Sequence, residues 1–153
     1  MPQELQRLPR LVIAAPQGRS GKTTVTLGLC AALRALGLRV QPYKKGPDYI
    51  DPSWLSEAAG QACRSLDPFF YEQHQALLRA FVDSARVADV SLIEGNHGLF
   101  DSFEESGLGS SAAVARTLNA PILLVVNATR IGRSAAAIVR GPESWATLPR
   151  LTP

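Results

Sequence analysis

The sequence is poor in the residues that build metal cages and disulfide frameworks: its 153 residues include only two cysteines, two histidines and one methionine. Cys30 and Cys63 stand far apart, lack the short spacing of a zinc site, and have no matching histidine pair. Cys30 falls inside a helical apolar pattern and reads as a small buried hydrophobe. Long apolar runs are also missing: none approaches the roughly 18 residues that cross a bilayer. Residues Met1 to Arg10 hold no apolar stretch of signal-peptide length. The expectation is a cytoplasmic chain with no membrane partner. Nor is there a block of one charge. The 16 Lys and Arg against 13 Asp and Glu leave a net +3 spread along the chain, which suits anionic small molecules and argues against nucleic acid as a partner. What remains is 46% hydrophobic and 19% charged, enough to bury a core in one domain.

Strands and helices alternate in the pattern. The run Leu11-Val12-Ile13-Ala14-Ala15, stopped by Pro16, suits a strand buried on both faces of a parallel sheet. Val25, Leu29, Ala32, Leu33 and Leu36 recur at helical spacing, so Thr23 to Leu36 is predicted helical, with Gly37 as its stop. Further strands are predicted at 38–43, 87–94 and 121–126, and further helices at 54–59, 73–86, 110–118 and 131–139. This order predicts a mainly parallel α/β sheet. In such sheets ligands bind beyond the carboxyl ends of the strands. The three unusual loops, 16–23, 44–52 and 95–102, all follow strands and should meet there. Residues 141–153 lose the pattern.

The first of these loops reads as a phosphate-binding loop. Gly18, Arg19, Ser20, Gly21, Lys22, Thr23 and Thr24 lie between a predicted strand and a predicted helix. Small residues there let backbone N–H groups face phosphate oxygens, Lys22 can reach the β- and γ-phosphates, and the Thr23 hydroxyl can meet Mg²⁺. The helix N-terminus adds a favourable dipole. The strict GxxxxGK[ST] pattern is broken by Pro16 at its first glycine. Glu94, ending a predicted strand, stands where such proteins place the carboxylate that holds Mg²⁺. Asp48 and Asp51, in a loop stiffened by Pro47 and Pro52, would repel near a triphosphate without a cation between them, which makes Asp48 a candidate Mg²⁺ partner. Lys44 and Lys45 suit phosphates or a substrate carboxylate. His97 is a candidate substrate contact, and His74 reads as surface.

Together these blocks resemble the synthetase domain of the cobyrinic acid a,c-diamide synthase family. APQGRSGKTTVTLGL (15–29), KKGPDYIDPSW (44–54), CRSLDP (63–68), IEGNHGLFDS (93–102) and PILLVVNATRIGRSAAAIV (121–139) stand in the family's order. The resemblance covers residues 10–140 and implies a P-loop NTPase-like fold similar to dethiobiotin synthetase. It implies ATP and Mg²⁺ as cofactors and an ATP-dependent amidation of corrin-ring acetate carboxylates through an acyl phosphate. On this resemblance Thr23, Asp48 and Glu94 would hold Mg²⁺. Lys22, Lys44, Asp51 and Asp101 would be catalytic, and Tyr49, Asp51, His97 and Asp101 would position the substrate. Family members continue through further sheet strands into a glutaminase domain with a nucleophilic cysteine. The expectation here is an incomplete amidoligase domain lacking its C-terminal strands, a divergent tail at 141–153, and ammonia from a glutaminase domain absent from this chain. A homodimer is compatible with the resemblance. Two other functions compete. A partition-type switch ATPase would carry an early lysine where Gln17 stands and would have no use for GPDYIDP. A non-catalytic remnant would at most bind nucleotide.

Overall fold

The computed structural model describes residues 5, 7–71, 74–104 and 107–144. In chain order its elements are β1 (Arg10–Ala14), α1 (Lys22–Ala35), β2 (Val40–Lys44), α2 (Ile50–Ala59), β3 (Arg64–Ser65), a 3₁₀ turn (Pro68–Phe70), α3 (His74–Ala85), β4 (Val90–Glu94), α4 (Ser111–Thr117), β5 (Ile122–Leu124) and α5 (Ala135–Ser144). The strands form one sheet in the order β3-β2-β4-β1-β5. Every pairing is parallel, with Val12 opposite both Ile93 and Ile122 and Tyr43 opposite Ile93.

Strand alternation divides the interior into two cores. Val12, Ala14, Tyr43, Ile93 and Ile122 face one side, where Leu77, Phe81 and Val82 of α3 and Val114 and Ala115 of α4 cover them. Ile13, Val40 and Leu92 face the other side and pack on Cys30 of α1 and Leu55 and Ala59 of α2. The sheet is therefore apolar on both faces, as a parallel sheet between two helical layers requires. Tyr43 is fully buried among these side chains. Its hydroxyl shares a hydrogen bond with Ser84 Oγ (2.8 Å) and donates to Phe81 O (3.1 Å).

The structure shifts several predicted boundaries. Helix α2 begins at Ile50, inside the stretch read as a loop. Asp48 Oδ1 accepts from the N–H groups of Ile50 (2.9 Å) and Asp51 (3.2 Å), satisfying orphan donors of the first turn. Pro52 also lies in that first turn, where its missing N–H costs nothing. Strand β4 starts at Val90 rather than 87, because residues 86–89 turn and dock through Asp89 on Arg39. The short β3 and the 3₁₀ turn carry too little periodicity to be read from sequence. Helix α5 runs to Ser144 through Pro142, so residues 141–144 are helical rather than part of a patternless tail. The rest of that tail, 145–153, and the predicted helix start at Gln73 lie outside the described residues. Among the described residues no helix is long and apolar enough to cross a membrane.

Candidate functional site

The carboxyl ends of β1, β2 and β4 bring three loops together around a cleft of about 630 Å³. It is lined by residues Gly18 to Thr24, by Lys44, Asp51 and Glu94, and by Gly95 to His97. The loop from β1 to α1 turns through left-handed backbone at Arg19 (φ 57°) and Gly21 (φ 91°). Gly21 adopts this conformation without strain. No side chain caps the α1 N-terminus and no acidic residue occupies its first turn. Its N–H groups and dipole therefore face the cleft without a cap, which suits an anion.

Lys22 lies low in the cleft and donates from Nζ to the His97 carbonyl (2.9 Å), tying the first loop to the third. Burial, followed by the Lys44 charge, holds its pKa below the ordinary lysine value. The Thr23 hydroxyl lies 2.5 Å from Glu94 Oε1 and 3.3 Å from Asp51 Oδ2. Lys44 Nζ reaches Asp51 Oδ2 at 2.6 Å, Glu94 Oε1 at 3.3 Å and Asp48 Oδ2 at 3.7 Å. Three carboxylates thus share one nearly buried ammonium. Burial works to lower the Lys44 pKa, but the Glu94 and Asp51 carboxylates outweigh it and leave it raised.

Glu94 is wholly buried, and burial pushes its carboxyl up despite Lys44 and Thr23. Its Oε2 is the buried side-chain atom without a hydrogen-bond partner among the described residues. A buried acceptor left open is costly. Here it sits beside a hydroxyl and a second carboxylate, the donor set of a hard cation. No group of three or more His, Cys, Asp or Glu gathers as a metal cage among the described residues. Few protein ligands is the ordinary arrangement for Mg²⁺ that shares its shell with phosphates and water.

The predicted site residues separate into those at the cleft and those beside it. Thr23, Lys44, Asp48, Asp51 and Glu94 form one network, Lys22 lies beside it in the cleft and bonds to the third loop, and Gly18 to Thr24 wrap its mouth. Asp48, expected among the metal ligands, gives Oδ1 to its own turn and keeps Oδ2 3.7 Å from Lys44 Nζ, while Asp51 joins Glu94 beside the Thr23 hydroxyl. Tyr49 is 89% exposed and lines a neighbouring hollow with Lys44, Asp48 and Phe70. His97 has left-handed backbone (φ 51°), presents its carbonyl to Lys22 and packs its ring edge-on against Phe103 at 6.0 Å. Asp101 accepts from Gly98 N through Oδ2 (2.9 Å) and so closes the turn of the third loop. A Cβ on Gly98 would sit 2.5 Å from that carboxylate and 2.7 Å from the Pro16 carbonyl, so the first and third loops pack only around a glycine.

Two further contributors carry weak sequence signals. Ser111 Oγ, at the start of α4, lies 3.2 Å from Asn96 N and 3.3 Å from Asn96 O, buttressing the loop after β4. Its trace in the sequence is Gly95, whose Cβ would meet Ser111 Oγ at 2.5 Å. Lys45, next to Lys44, lies on the opposite face of the sheet.

A phosphate-type loop between the first strand and helix, opposed by a strand-end carboxylate on a parallel sheet, defines a P-loop NTPase-like nucleotide-binding fold. The chain belongs to the family described as CobQ/CobB/MinD/ParA nucleotide binding domain, which matches residues 11–151. It is 54% identical over 135 residues to a cobyrinate a,c-diamide synthase of Magnetococcus marinus, covering 88% of this chain and 29% of that protein. To a hydrogenobyrinate a,c-diamide synthase of Streptomyces coelicolor it is 48% identical over 139 residues, covering 90% and 28%. The chain thus spans less than a third of the length of these curated relatives. It also resembles a nucleotide-binding protein from Archaeoglobus fulgidus solved in complex with ADP. There the TM-score is 0.54 and the identity 15%, over 94% of this chain and 66% of that one. At that identity the likeness is one of fold alone.

Proposed function

We propose that this chain is the nucleotide-binding synthetase part of an amidoligase that converts ring acetate carboxylates of a corrinoid into amides at the expense of ATP. The observation that carries this reading is the convergence of Lys44 and Asp51, from the KKGPDYID block, on Thr23 of the phosphate loop. A plain NTPase needs no second lysine–carboxylate pair at that place. An enzyme that must bring a substrate carboxylate to the terminal phosphate does.

A carboxylate is a poor acyl donor, and phosphorylation supplies its leaving group. The substrate carboxylate oxygen bonds to the γ-phosphorus and ADP departs. Ammonia then attacks the acyl carbon, inorganic phosphate leaves, and a proton is released with the amide. In the chain's own terms, the 18–24 loop and the α1 N-terminus cradle the phosphates, and Lys22 offsets charge on the transferring group. Lys44 draws the incoming carboxylate and keeps Asp51 and Glu94 in place. Thr23 and Glu94 would hold Mg²⁺, with Asp51 beside them. When bound, Mg²⁺ supplies further neutralisation of the phosphate charge. Asp101 shapes the loop that carries His97 over the cleft. Ammonia comes from a glutaminase domain such as the resemblance implies, or from solution in an assay.

The test is ADP release from MgATP with cobyrinic acid and ammonium chloride. Release is expected to need the corrinoid, and Lys22→Ala is expected to abolish both release and calorimetric MgATP binding. Equal ADP release without corrinoid would replace this reading with that of a switch ATPase. Unchanged nucleotide affinity in the Lys22 variant would remove the phosphate-loop assignment.

A further inference from the structure

Lys45 is the unexplained charge of the fold. It is 2% exposed, and its ammonium makes no hydrogen bond or ion pair among the described residues. An unpaired cation sealed in a core is among the most costly arrangements a fold can hold, and the Lys45 ammonium escapes this by keeping its tip open to a cavity. Strand alternation accounts for its place. The Lys45 N–H extends the ladder to the Glu94 carbonyl (2.8 Å), so its side chain points away from that of Lys44, into the layer of α3 and α4. There it lines a cavity of about 230 Å³ with the ring of Phe69, Tyr71 and Leu77 on one wall and Phe103 and Leu108 on the other. Asp67 and Asp101 act on Lys45 through charge, the cavity is also lined by Glu104 and His74, and no carboxylate is placed in an ion pair with Lys45 among the described residues. Asp67 is engaged in capping the 3₁₀ turn through Phe69 N (3.0 Å).

The cavity is smaller than the roughly 300–1,000 Å³ of pockets that enclose a whole ligand. It is sized for an arm. Around its mouth Phe69 and Phe103 are 83% and 80% exposed, and Phe70, 56% exposed, continues the apolar surface to the hollow beside Lys44 and Tyr49. Apolar rims next to a buried cation fit an apolar-bodied acid better than a phosphate or a sugar.

We propose that this cavity binds a second, non-reacting carboxylate of the substrate, an apolar-bodied polycarboxylic acid, with Lys45 as its counter-ion. The two adjacent lysines then divide the work: Lys44 serves the carboxylate at the phosphates and Lys45 anchors another arm of the same molecule across the sheet edge. The proposal rests on the amidoligase reading and adds to it the part of the chain that selects a polyacid.

The experiment is calorimetric titration of the chain with cobyrinic acid, and separately with MgATP, in the native protein and in Lys45→Met. The variant is expected to bind cobyrinic acid at least tenfold more weakly, to bind MgATP unchanged, and to melt at a higher temperature because it loses an unpaired buried charge. Weaker binding together with greater stability is a signature that a merely structural lysine would not give. Lys45→Gln serves as the second variant, with the same expectation for binding. Equal corrinoid affinity in native protein and both variants would overturn the proposal and leave the amidoligase reading standing. Absence of corrinoid binding in the native protein, with MgATP still bound, would overturn both.

Discussion

Two sides of the same sheet edge are built on opposite electrostatic plans. On the α1–α2 side, Lys44 is surrounded by Asp51, Glu94 and Asp48, all within 4 Å. On the α3–α4 side, Lys45 is as deeply buried and has no partner among the described residues. The residues are neighbours, so neither composition nor local sequence separates them. The difference comes from the pleat, which sends one side chain among three carboxylates and the next among aromatic rings. The first side gives its ammonium three carboxylate partners before any ligand arrives, with Lys44 as the hub. The second leaves a charge for a ligand to complete.

The largest break in this comparison is Lys44→Met. It removes the cation that three carboxylates share and leaves Glu94 and Asp51 crowded in a buried site. Breaking a buried pair from one side costs about 3–5 kcal/mol, and urea unfolding at neutral pH is expected to show a loss of about that size. The loss should shrink in acid, where the carboxyls take up protons. A loss under about 1 kcal/mol at neutral pH would mean that the cluster is solvated like a surface pair.

A smaller break is Glu94→Gln. Burial raises the folded-state pKa of Glu94 above its ordinary 4.5. Between 4.5 and that raised value the folded chain binds more protons than the unfolded one, so this group makes stability fall as pH rises through that window. The glutamine variant is expected to lack this descent and to differ from the native protein by about 1 kcal/mol or less near pH 5. Stability curves against pH that run parallel for the two proteins would show that Glu94 titrates normally, with water reaching its open oxygen.

The fold and the first side were largely legible in the sequence, and the second side was not. The alternation of apolar runs with helical periodicity announced the parallel sheet, because burial on both faces demands near-continuous apolar strands. Lys22, Thr23 and Glu94 were legible because a phosphate loop and a strand-end carboxylate recur in a fixed order. The second carboxylate beside Thr23 is harder to read. Asp48 and Asp51 look alike in a Pro-bounded loop, and only the early start of α2 reveals that Asp48 caps a helix while Asp51 turns inward. Ser111 and Lys45 act through packing between segments distant in the chain, which no local pattern records. The sequence hides the end of α5 because Gly141 and Pro142 usually stop a helix, and here the helix continues past both.

The finest test of the contrast lies in alkali, and composition favours it, since Lys22, Lys44 and Lys45 are the chain's three lysines. Burial, ahead of the opposing pull of Asp67, holds Lys45 below the ordinary 10.5. Between its folded pKa and 10.5 the unfolded chain carries more protons, so Lys45 makes stability rise with pH there. Lys44, raised above 10.5 once its carboxylates outweigh burial, acts with the opposite sign. Above 10.5 the folded chain keeps a proton that the unfolded chain has lost, and stability falls as pH climbs through the folded value. Lys22 is lowered as well and adds to the rise, so each contribution is read as a difference from a variant. Native minus Lys45→Met stability is expected to climb as pH approaches 10.5 from below. Native minus Lys44→Met stability is expected to drop beyond 10.5. Differences of the same sign for both lysines would show that the two faces of this edge share one electrostatic environment after all, and that Lys45 has a partner of its own.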